Sequence, residues 1–395
     1  MKTDNASVKE ILSYIPDEQL DFFAKETLVD WNVKKLSGKE LFKLCLFGVL
    51  NENRASSRVF ESFYENHFFC QYAKIPKGKT VSHSSICDRI GKIDVSYFEK
   101  LYNYTVNAFE SDLTGKNKTK LCLYDSTITS LSSSLLHFGM KNGQKNKKGE
   151  QGKNSLKFTI GFNGLPFKVN FHKDQKMISE DLALGDILAE HVISKKEIAV
   201  FDRGMKSRER MVKLVDNQQY FVTRIRKGAK YELQKDSVIT PLNFENEHVR
   251  LISHKKVHLF CHHKKTKEVF RLVEGEFKAD GEPILFLSNL PEDEFSAEQI
   301  AGIYKNRWQI EIFFRFIKQE MNFKHYFSRE WTGIQVMIYI ILIAAILLLS
   351  YIKSNKLKGY KIPKIAFCNQ LQHEIIQQII IHCGGDPSKL DTYPK

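Results

Sequence analysis

Four polar residues of different chemistry recur within residues 304–318 at spacings of three, four and seven positions. They are Tyr304, Arg307, Glu311 and Lys318. An α-helix turns about 100° per residue, so one continuous helix would place all four within about a sixth of its circumference. Ser296, followed three residues later by Gln299, forms a capping-box pattern that predicts a helix start near Ala297.

This stripe has two interpretations. A solvated helix face commonly carries ion pairs four residues apart, such as Arg307 with Glu311. One acid among several cations also suits a site in which the acid holds a metal ion and the cations hold phosphates. The spacing alone leaves both open.

The pattern Y-x2-R-x3-E-x6-K, within the stretch FSAEQIAGIYKNRWQIE, resembles the signature of bacterial insertion-sequence transposases of the IS-four family. The resemblance implies a DDE enzyme with a ribonuclease H-like α/β fold: a mixed sheet flanked by helices. It also implies two aspartates upstream, each at the end of a strand.

Two aspartates match that expectation. Asp125 follows the apolar run at residues 121–124, and Asp202 follows the run at residues 197–201. Either one alone is typical of an aspartate that begins a turn. Together they predict two strands that deliver carboxylates side by side.

The elements between these aspartates have the expected order. Residues 156–162 and 166–171 flank Asn163-Gly164, which indicates a hairpin. A helix is predicted from Ser179 to about His191, followed by the strand that precedes Asp202. This order is that of a ribonuclease H-like core with the two aspartate strands adjacent.

The chain therefore divides into five predicted segments. They are a helical DNA-binding and dimerisation domain (1–115), the first part of the catalytic core (116–225), an inserted β-rich domain (226–284), the second part of the core with the signature helix (285–353) and a helical tail (354–395). Residues 56–69 read as one helix of the first segment, and two short strands are predicted at 249–252 and 257–260 in the inserted one.

The predicted helices at residues 82–90 and 94–109 are separated by a break at Gly91. They fit either a helix-turn-helix or an ordinary helical bundle. In the first case four cations would face DNA: Lys77, Lys79, Arg89 and Lys92.

Charge and cysteine content narrow the partners and the compartment. A net charge of +14 over 395 residues favours nucleic acid as partner, with a membrane surface as the weaker option. The seven cysteines form no C-x-x-C pair, and the N-terminal residues contain no apolar secretory run. We therefore expect reduced thiols in a cytoplasmic protein, and the resemblance implies a bacterial, nucleoid-associated one.

Residues 334–352 are almost wholly apolar and nearly long enough to span a bilayer. A core helix buried on all sides has the same composition. Because the run is single and follows a charged functional segment, we predict a core helix and no membrane association.

Residues 137–154 are polar, rich in Gly and Asn, and basic. They predict a mobile loop that contacts the DNA backbone through Lys145, Lys147 and Lys148. A solvated hairpin connection is the alternative.

The resemblance implies the roles of the site residues. Asp125, Asp202 and Glu311 would be catalytic and hold two Mg²⁺ ions, for which Mn²⁺ would substitute, with Asp125 bridging both. Tyr304, Arg307 and Lys318 would bind phosphates, and Trp308 would hold a base flipped out of the duplex.

The implied reaction is cleavage at the ends of an insertion sequence, followed by transfer of the freed 3′-hydroxyl into target DNA. The partners would be double-stranded DNA, as terminal inverted repeats and target, and a second copy of the chain on that DNA. Three alternatives remain: a nuclease on the same fold without strand transfer, a DNA-binding protein with an inactive core, and a protein anchored by residues 334–352. The presence of all three acids argues against the inactive core.

Overall fold

The computed structural model describes residues 6–392 apart from 52–55, 77, 115–119, 131–137, 146–150, 191–196, 236, 322–327 and 329. The chain forms two compact units. A helical unit comprises Met1–Gly115, Thr129–Phe138 and Phe314–Lys395, and a mixed α/β unit comprises Lys116–Ile128 and Gly139–Phe313.

The helices of the described residues are, in chain order, α1 (Val8–Ser13), α2 (Asp17–Glu26), α3 (Gly38–Asn51), α4 (Ser57–Tyr64), α5 (His67–Ala73), α6 (His83–Lys92), α7 (Val95–Thr114), α8 (Glu180–Glu190), α9 (Arg208–Asp216), α10 (Ala297–Lys305), α11 (Trp308–Glu320), α12 (Trp331–Ser354) and α13 (Lys361–His382). Short 3₁₀ turns occupy Gln175–Ile178 and Pro387–Thr392.

The strands are β1 (Lys120–Ser130), β2 (Met140–Lys145), β3 (Gln151–Phe162), β4 (Pro166–His172), β5 (Glu197–Phe201), β6 (Tyr220–Ile225), β7 (Tyr231–Leu233), β8 (Thr240–Glu245), β9 (Val249–Cys261), β10 (Lys264–Lys265), β11 (Phe270–Phe277) and β12 (Pro283–Ser288).

The helical unit is organised around α12. This 24-residue helix is long and apolar enough to cross a bilayer. However, 83% of its most apolar 18-residue stretch is buried inside the protein. It packs against α3, α6, α7 and α13, and the rings of Tyr102 and Tyr339 lie 5.4 Å apart in the contact with α7. The prediction of a core helix at residues 334–352 is therefore confirmed.

Two details of the N-terminal prediction are wrong. Residues 56–69 form two helices, because the Asn66 side chain accepts a hydrogen bond from the Phe68 amide and so begins α5. The break between α6 and α7 falls at Ile93–Asp94, after Gly91.

Arg89 is also not a surface cation that faces DNA. Its half-buried guanidinium donates to the carbonyl oxygens of Leu36 and Val29 and to the Asp30 carboxylate. Arg89 therefore ties α6 to the loop before α3. Lys77 lies outside the described residues, and DNA contact by this helix pair stays a prediction.

The mixed α/β unit contains a twelve-stranded sheet. Its order is β10-β9-β11-β12-β6-β5-β1-β3-β2, with β4 beside β3 and both β7 and β8 beside β9. Strand β5 runs parallel to β1 and β6. The pairs β11–β12, β12–β6 and β3–β4 are antiparallel. The predicted hairpin (β3 and β4), helix α8 and strand β5 are confirmed, with Gly164 at φ +108° in the hairpin turn.

The predicted mobile loop at residues 137–154 is wrong for most of its length. Residues 140–145 form β2, which pairs antiparallel with β3 from Met140 opposite Ser155. These strands are held by main-chain hydrogen bonds, which polar residues and glycines also form. The composition of the segment therefore did not indicate a strand. Lys147 and Lys148 lie outside the described residues.

Residues 226–284 are rich in strands, as predicted. The two predicted strands at 249–252 and 257–260 are one long strand, β9, because the polar residues between them pair with β11. One of these, Lys255, is buried against Glu274 with 2.7 Å between Nζ and Oε1. That the segment is an inserted domain stays a prediction, since its strands continue the same sheet through β12.

Close packing within the helical unit gives a stability prediction. A Cβ on Gly48, in the buried helix α3, would overlap the Phe60 ring of α4. Gly48→Ala should therefore lower the free energy of unfolding by about 1–3 kcal/mol. Thermal unfolding followed by circular dichroism checks this.

Gly302→Ala is the matched control, because among the described residues no heavy atom lies within 4 Å of a Cβ at this helical position. It should be neutral or stabilise by up to about 1 kcal/mol through helix propensity. Equal destabilisation by both variants would contradict the packing described for α3 and α4.

Candidate active site

The register of β1 and β5 brings two predicted site residues together. Tyr124 pairs with Phe201 in the parallel ladder, and each is followed directly by an aspartate, Asp125 and Asp202. Parallel strands present corresponding ends at the same edge, so the two carboxylates leave the sheet side by side. Strand β1 continues to Ser130, but its pairing with β5 ends before Asp125.

Each aspartate is oriented by the backbone that follows it. The Asp125 carboxylate accepts a hydrogen bond from the Ser126 amide at 2.8 Å. The Asp202 carboxylate accepts one from the Gly204 amide at 3.2 Å.

The continuous helix predicted across residues 304–318 is wrong. Helix α10, which begins at Ala297 with the predicted Ser296–Gln299 capping box, ends at Lys305, and α11 begins at Trp308. The Asn306 side chain donates through Nδ2 to the Gly302 carbonyl at 3.0 Å. Its Oδ1 accepts a hydrogen bond from Nε2 of the Gln309 side chain at 3.1 Å. An asparagine that hydrogen-bonds locally in this way competes with the helical ladder.

Arg307 lies in this break and joins two of the predicted acids. Its Nη1 is 3.4 Å from Asp125 Oδ2, and its Nη2 donates to Glu311 Oε1. Its guanidinium carbon lies 5.8 Å from the centre of the Tyr304 ring. The side chain is only 14% exposed, and its Nε has no hydrogen-bond partner among the described residues.

The electrostatics of the site follow from burial. Burial raises the pKa of Asp125 to about 7, against the opposing effect of Arg307 and the Ser126 amide. The charges of Glu180 and Asp202 raise it further. Burial also opposes the charged form of Arg307, but Tyr304, Glu311 and Asp125 raise the pKa of Arg307 above its ordinary value.

Glu180 is a site residue that the sequence reasoning missed. It packs on the backbone of the loop after Asp202, where a Cβ on Gly204 would overlap its side chain. Its Oε2 lies 2.7 Å from Nζ of Lys157, which is almost fully buried. Its Oε1 is buried without a hydrogen-bond partner among the described residues. Its place in the first turn of α8 was the only signal in the sequence.

Beside this cluster lies a cavity of about 700 Å³. Its wall includes Tyr304, Arg307, Trp308, Arg224, Phe286 and His248. Trp308 is 52% exposed and is therefore not a core residue. The Arg224 guanidinium lies 5.9 Å from the centre of the Tyr304 ring. The cavity thus combines aromatic surface with cations.

The other predicted site residues that the structure describes are Lys318 and Lys145. Lys318 is in the last turn of α11, with Nζ 5.8 Å from the centre of the Phe314 ring. Lys145 ends β2. The structure therefore brings together five predicted residues: Asp125, Asp202, Tyr304, Arg307 and Glu311.

The donor set of this cluster fits a hard divalent cation. Carboxylate oxygens are the ligands that Mg²⁺ and Mn²⁺ prefer. The raised pKa of Asp125 indicates that Arg307 alone does not compensate the acids. Within the described ranges no three His, Cys, Asp or Glu side chains already converge as a metal cluster. One reason is that Arg307 occupies the position between Asp125 and Glu311.

Comparison with known proteins identifies the family. A family model for the transposase DDE domain matches residues 116–347, more than half of the chain. This chain belongs to the DDE transposases. The match includes the segments that carry Asp125, Asp202 and Glu311.

Individual relatives agree with the resemblance to the IS-four type. The chain is 26% identical over 287 residues to a putative transposase for insertion sequence element IS4SA of Synechocystis, covering 69% of this chain and 72% of that protein. It is 27% identical over 165 residues to a probable transposase for IS5377 of Geobacillus stearothermophilus, 41% of each chain. It is 37% identical over 78 residues to the transposase for IS421 of Escherichia coli, about a fifth of each.

The raised pKa of Asp125 gives a prediction for this transposase without metal. The folded pKa lies near 7, whereas an unfolded aspartate has a pKa of about 3.9. The folded protein therefore loses stability relative to the unfolded chain as the pH rises from about 4 through 7. Asp125→Asn, which stays neutral, should raise the free energy of unfolding by about 1–3 kcal/mol at pH 8 and change it little at pH 4.

Unfolding of both proteins in a chelator across this pH range checks the sign. Asp216→Asn removes an exposed acid from α9 and should give no such pH-dependent difference. Equal free energies of unfolding for wild type and Asp125→Asn at pH 8 would show that the surroundings of Asp125 do not destabilise its charged form.

Proposed function

We propose that this transposase cuts DNA at the ends of an insertion sequence and transfers the freed 3′-hydroxyl ends into target DNA by two-metal DDE chemistry. The observation that supports this most is that β1 and β5 deliver Asp125 and Asp202 side by side, while Arg307 contacts both Asp125 and Glu311. The family match over residues 116–347, which contain all three acids, supports the same assignment.

Divalent metal ions, Mg²⁺ or Mn²⁺, would activate the attacking hydroxyl and stabilise the leaving oxygen when bound. Asp125, Asp202 and Glu311 would hold these ions through their carboxylate oxygens. Asp125 and Asp202 are already adjacent. Arg307 holds one oxygen of the Glu311 carboxylate and would compete there with a metal ion, so we expect Arg307 to change partner when the site is loaded.

A DNA phosphate is the partner that Arg307 would take up. A guanidinium forms strong charge-assisted bonds with phosphate oxygens, and the cavity beside Arg307 is open to a strand. Tyr304 and Lys318 would hold further phosphates. Such contacts fix the position of the strand and read no sequence.

Trp308 would hold a base flipped out of the duplex. Its exposed indole lies on the wall of the 700 Å³ cavity together with Tyr304 and Phe286. Extrahelical bases are commonly stabilised by stacking on such rings.

The remaining parts of the proposal concern architecture and partners. The sheet would be a ribonuclease H-like core with the β-rich segment 226–284 inserted, and segment 1–115 would serve DNA binding and dimerisation. Synapsis of two element ends makes a homodimer on DNA the expected assembly. The expected location is the bacterial nucleoid.

The test of the chemistry is a cleavage and joining assay. The substrate is DNA that carries an end of the element encoding this chain, with Mg²⁺, with Mn²⁺ and with chelator. We expect wild-type protein to nick the end and to join it to target DNA only with metal. Glu311→Gln should lower both rates at least about 10³-fold, because one metal ligand is lost.

Glu294→Gln, at an exposed acid just before α10, should act like wild type. Cleavage by Glu311→Gln at the wild-type rate would contradict the three-acid site. Metal-dependent nicking without joined product would instead indicate a nuclease on the same fold, and binding without cleavage would indicate an inactive DNA-binding protein.

A separate prediction concerns Lys318. Lys318→Ala should weaken binding of end DNA about threefold to tenfold at moderate salt, because a phosphate contact is lost. The affinity for Mn²⁺ should not change. Fluorescence anisotropy and Mn²⁺ titration measure the two quantities, and Lys358→Ala, at an exposed lysine of the same unit, is the control. A fall in Mn²⁺ affinity at unchanged DNA affinity would reverse the role assigned to Lys318.

A further inference from the structure

A second cavity, of about 300 Å³, shares Arg224 as a lining residue with the first. Basic side chains from the loop after Asp202, from the start of α9 and from the end of β6 line it: Arg203, Lys206, Arg208, Arg224 and Arg226. The other residues of its wall are Met205, Ile225, Gly228 and Ala229. Its lining therefore contains five cations and neither an acid nor an aromatic ring.

None of these cations is neutralised by a direct ion pair within the described residues, although the charge of Asp181 acts to raise the pKa of Arg208. Among the described residues, none of the five has a carboxylate oxygen within the 4 Å of an ion pair. The nearby acids are engaged elsewhere: Asp181 accepts from Arg210, and Glu209 Oε1 lies 2.9 Å from His262 Nε2. Five cations in one small cavity repel one another, so the arrangement favours an anion from outside.

Two of these guanidinium groups are held in place by contacts that do not neutralise them. Arg208 is half-buried and donates to the Met211 sulfur at 3.4 Å, and burial lowers the pKa of Arg208. Arg224 packs on the rings of Phe277 and Tyr304, at 5.2 and 5.9 Å, and its Nε is buried without a partner among the described residues. Both guanidinium groups are therefore fixed in orientation and retain N–H donors that can bind an anion.

We propose that this cationic cavity binds a backbone phosphate of the DNA strand next to the scissile bond. The inference rests on the proposed function, because it places the scissile bond at Asp125 and Asp202. Arg203 follows Asp202 directly, and Arg224 lines both cavities, so a strand at the acids continues past Arg224 into the second cavity. Arg203, Lys206 and Arg226 are exposed, which leaves the cavity open to a polymer.

The chemistry of the wall selects a phosphate and not a base. Guanidinium and ammonium groups match phosphate oxygens, whereas a flipped base needs an aromatic surface to stack on. The cavity would therefore position the strand equally on any sequence.

The test compares two doubly substituted proteins of equal net charge. Lys206→Gln with Arg226→Gln removes two exposed cations of the cavity. Lys213→Gln with Lys227→Gln removes two exposed cations of the same segments that lie outside it. The first variant should bind end DNA about 5- to 20-fold more weakly at moderate salt, with a salt dependence reduced by about one phosphate contact. The second should change affinity by less than about twofold.

Methylphosphonate substitution in the DNA then locates the contact. Neutralising one phosphate at a time around the cut should weaken binding by wild type at one or two adjacent positions. The cavity variant should lose nothing further at those positions, while the control variant should behave like wild type. Unchanged thermal unfolding of both variants verifies that they are folded.

Three results would overturn the inference. They are equal losses for both variants, a methylphosphonate profile that is the same for the cavity variant and wild type, and cavity-dependent binding of inorganic phosphate without any effect on DNA. Metal-dependent cleavage by wild type is scored separately. Its absence would refute the proposed function, whereas its presence with any of the three results would refute the cavity alone.

Discussion

The contact of Arg307 with Asp125 and Glu311 is the interaction on which the site depends. Parallel pairing of β1 and β5 forces Asp125 and Asp202 to emerge next to each other, and burial makes the ionisation of Asp125 costly. A cation is required at this edge of the sheet. In the protein alone, Arg307 supplies part of that charge, and the break between α10 and α11 is what places it there.

The position of Arg307 gives a physical reason for coupling between metal and DNA. Arg307 holds one oxygen of the Glu311 carboxylate and competes there with a metal ion, and Arg307 is costly to leave unpaired in a half-buried position. In the proposed mechanism a phosphate beside the acids would pair with Arg307 as Glu311 turns to the metal. Binding of metal ions and binding of the DNA strand would thus each strengthen the other.

Local sequence patterns predicted the parts of the fold that depend on local chemistry. Apolar runs followed by an acid located β1, β5 and both aspartates, and the capping box at Ser296 located the start of α10. The helix break was not predictable from the 3.6-residue period, because it depends on the side-chain bonds of Asn306. Strand β2 depends on pairing with β3, and the roles of Arg89, Glu180 and Arg224 depend on residues distant in the sequence. Contacts of this kind are set by the tertiary fold and leave no local pattern.

The most direct test of the central claim is to map the metal site chemically. Fe²⁺ bound in place of Mg²⁺ generates hydroxyl radicals that cleave the polypeptide beside the ion. With end DNA present, we predict cuts near Asp125, Asp202 and Glu311 together, which excess Mg²⁺ suppresses. Cuts at only one of these segments, or at sites distant from all three, would contradict a shared metal centre built from these acids.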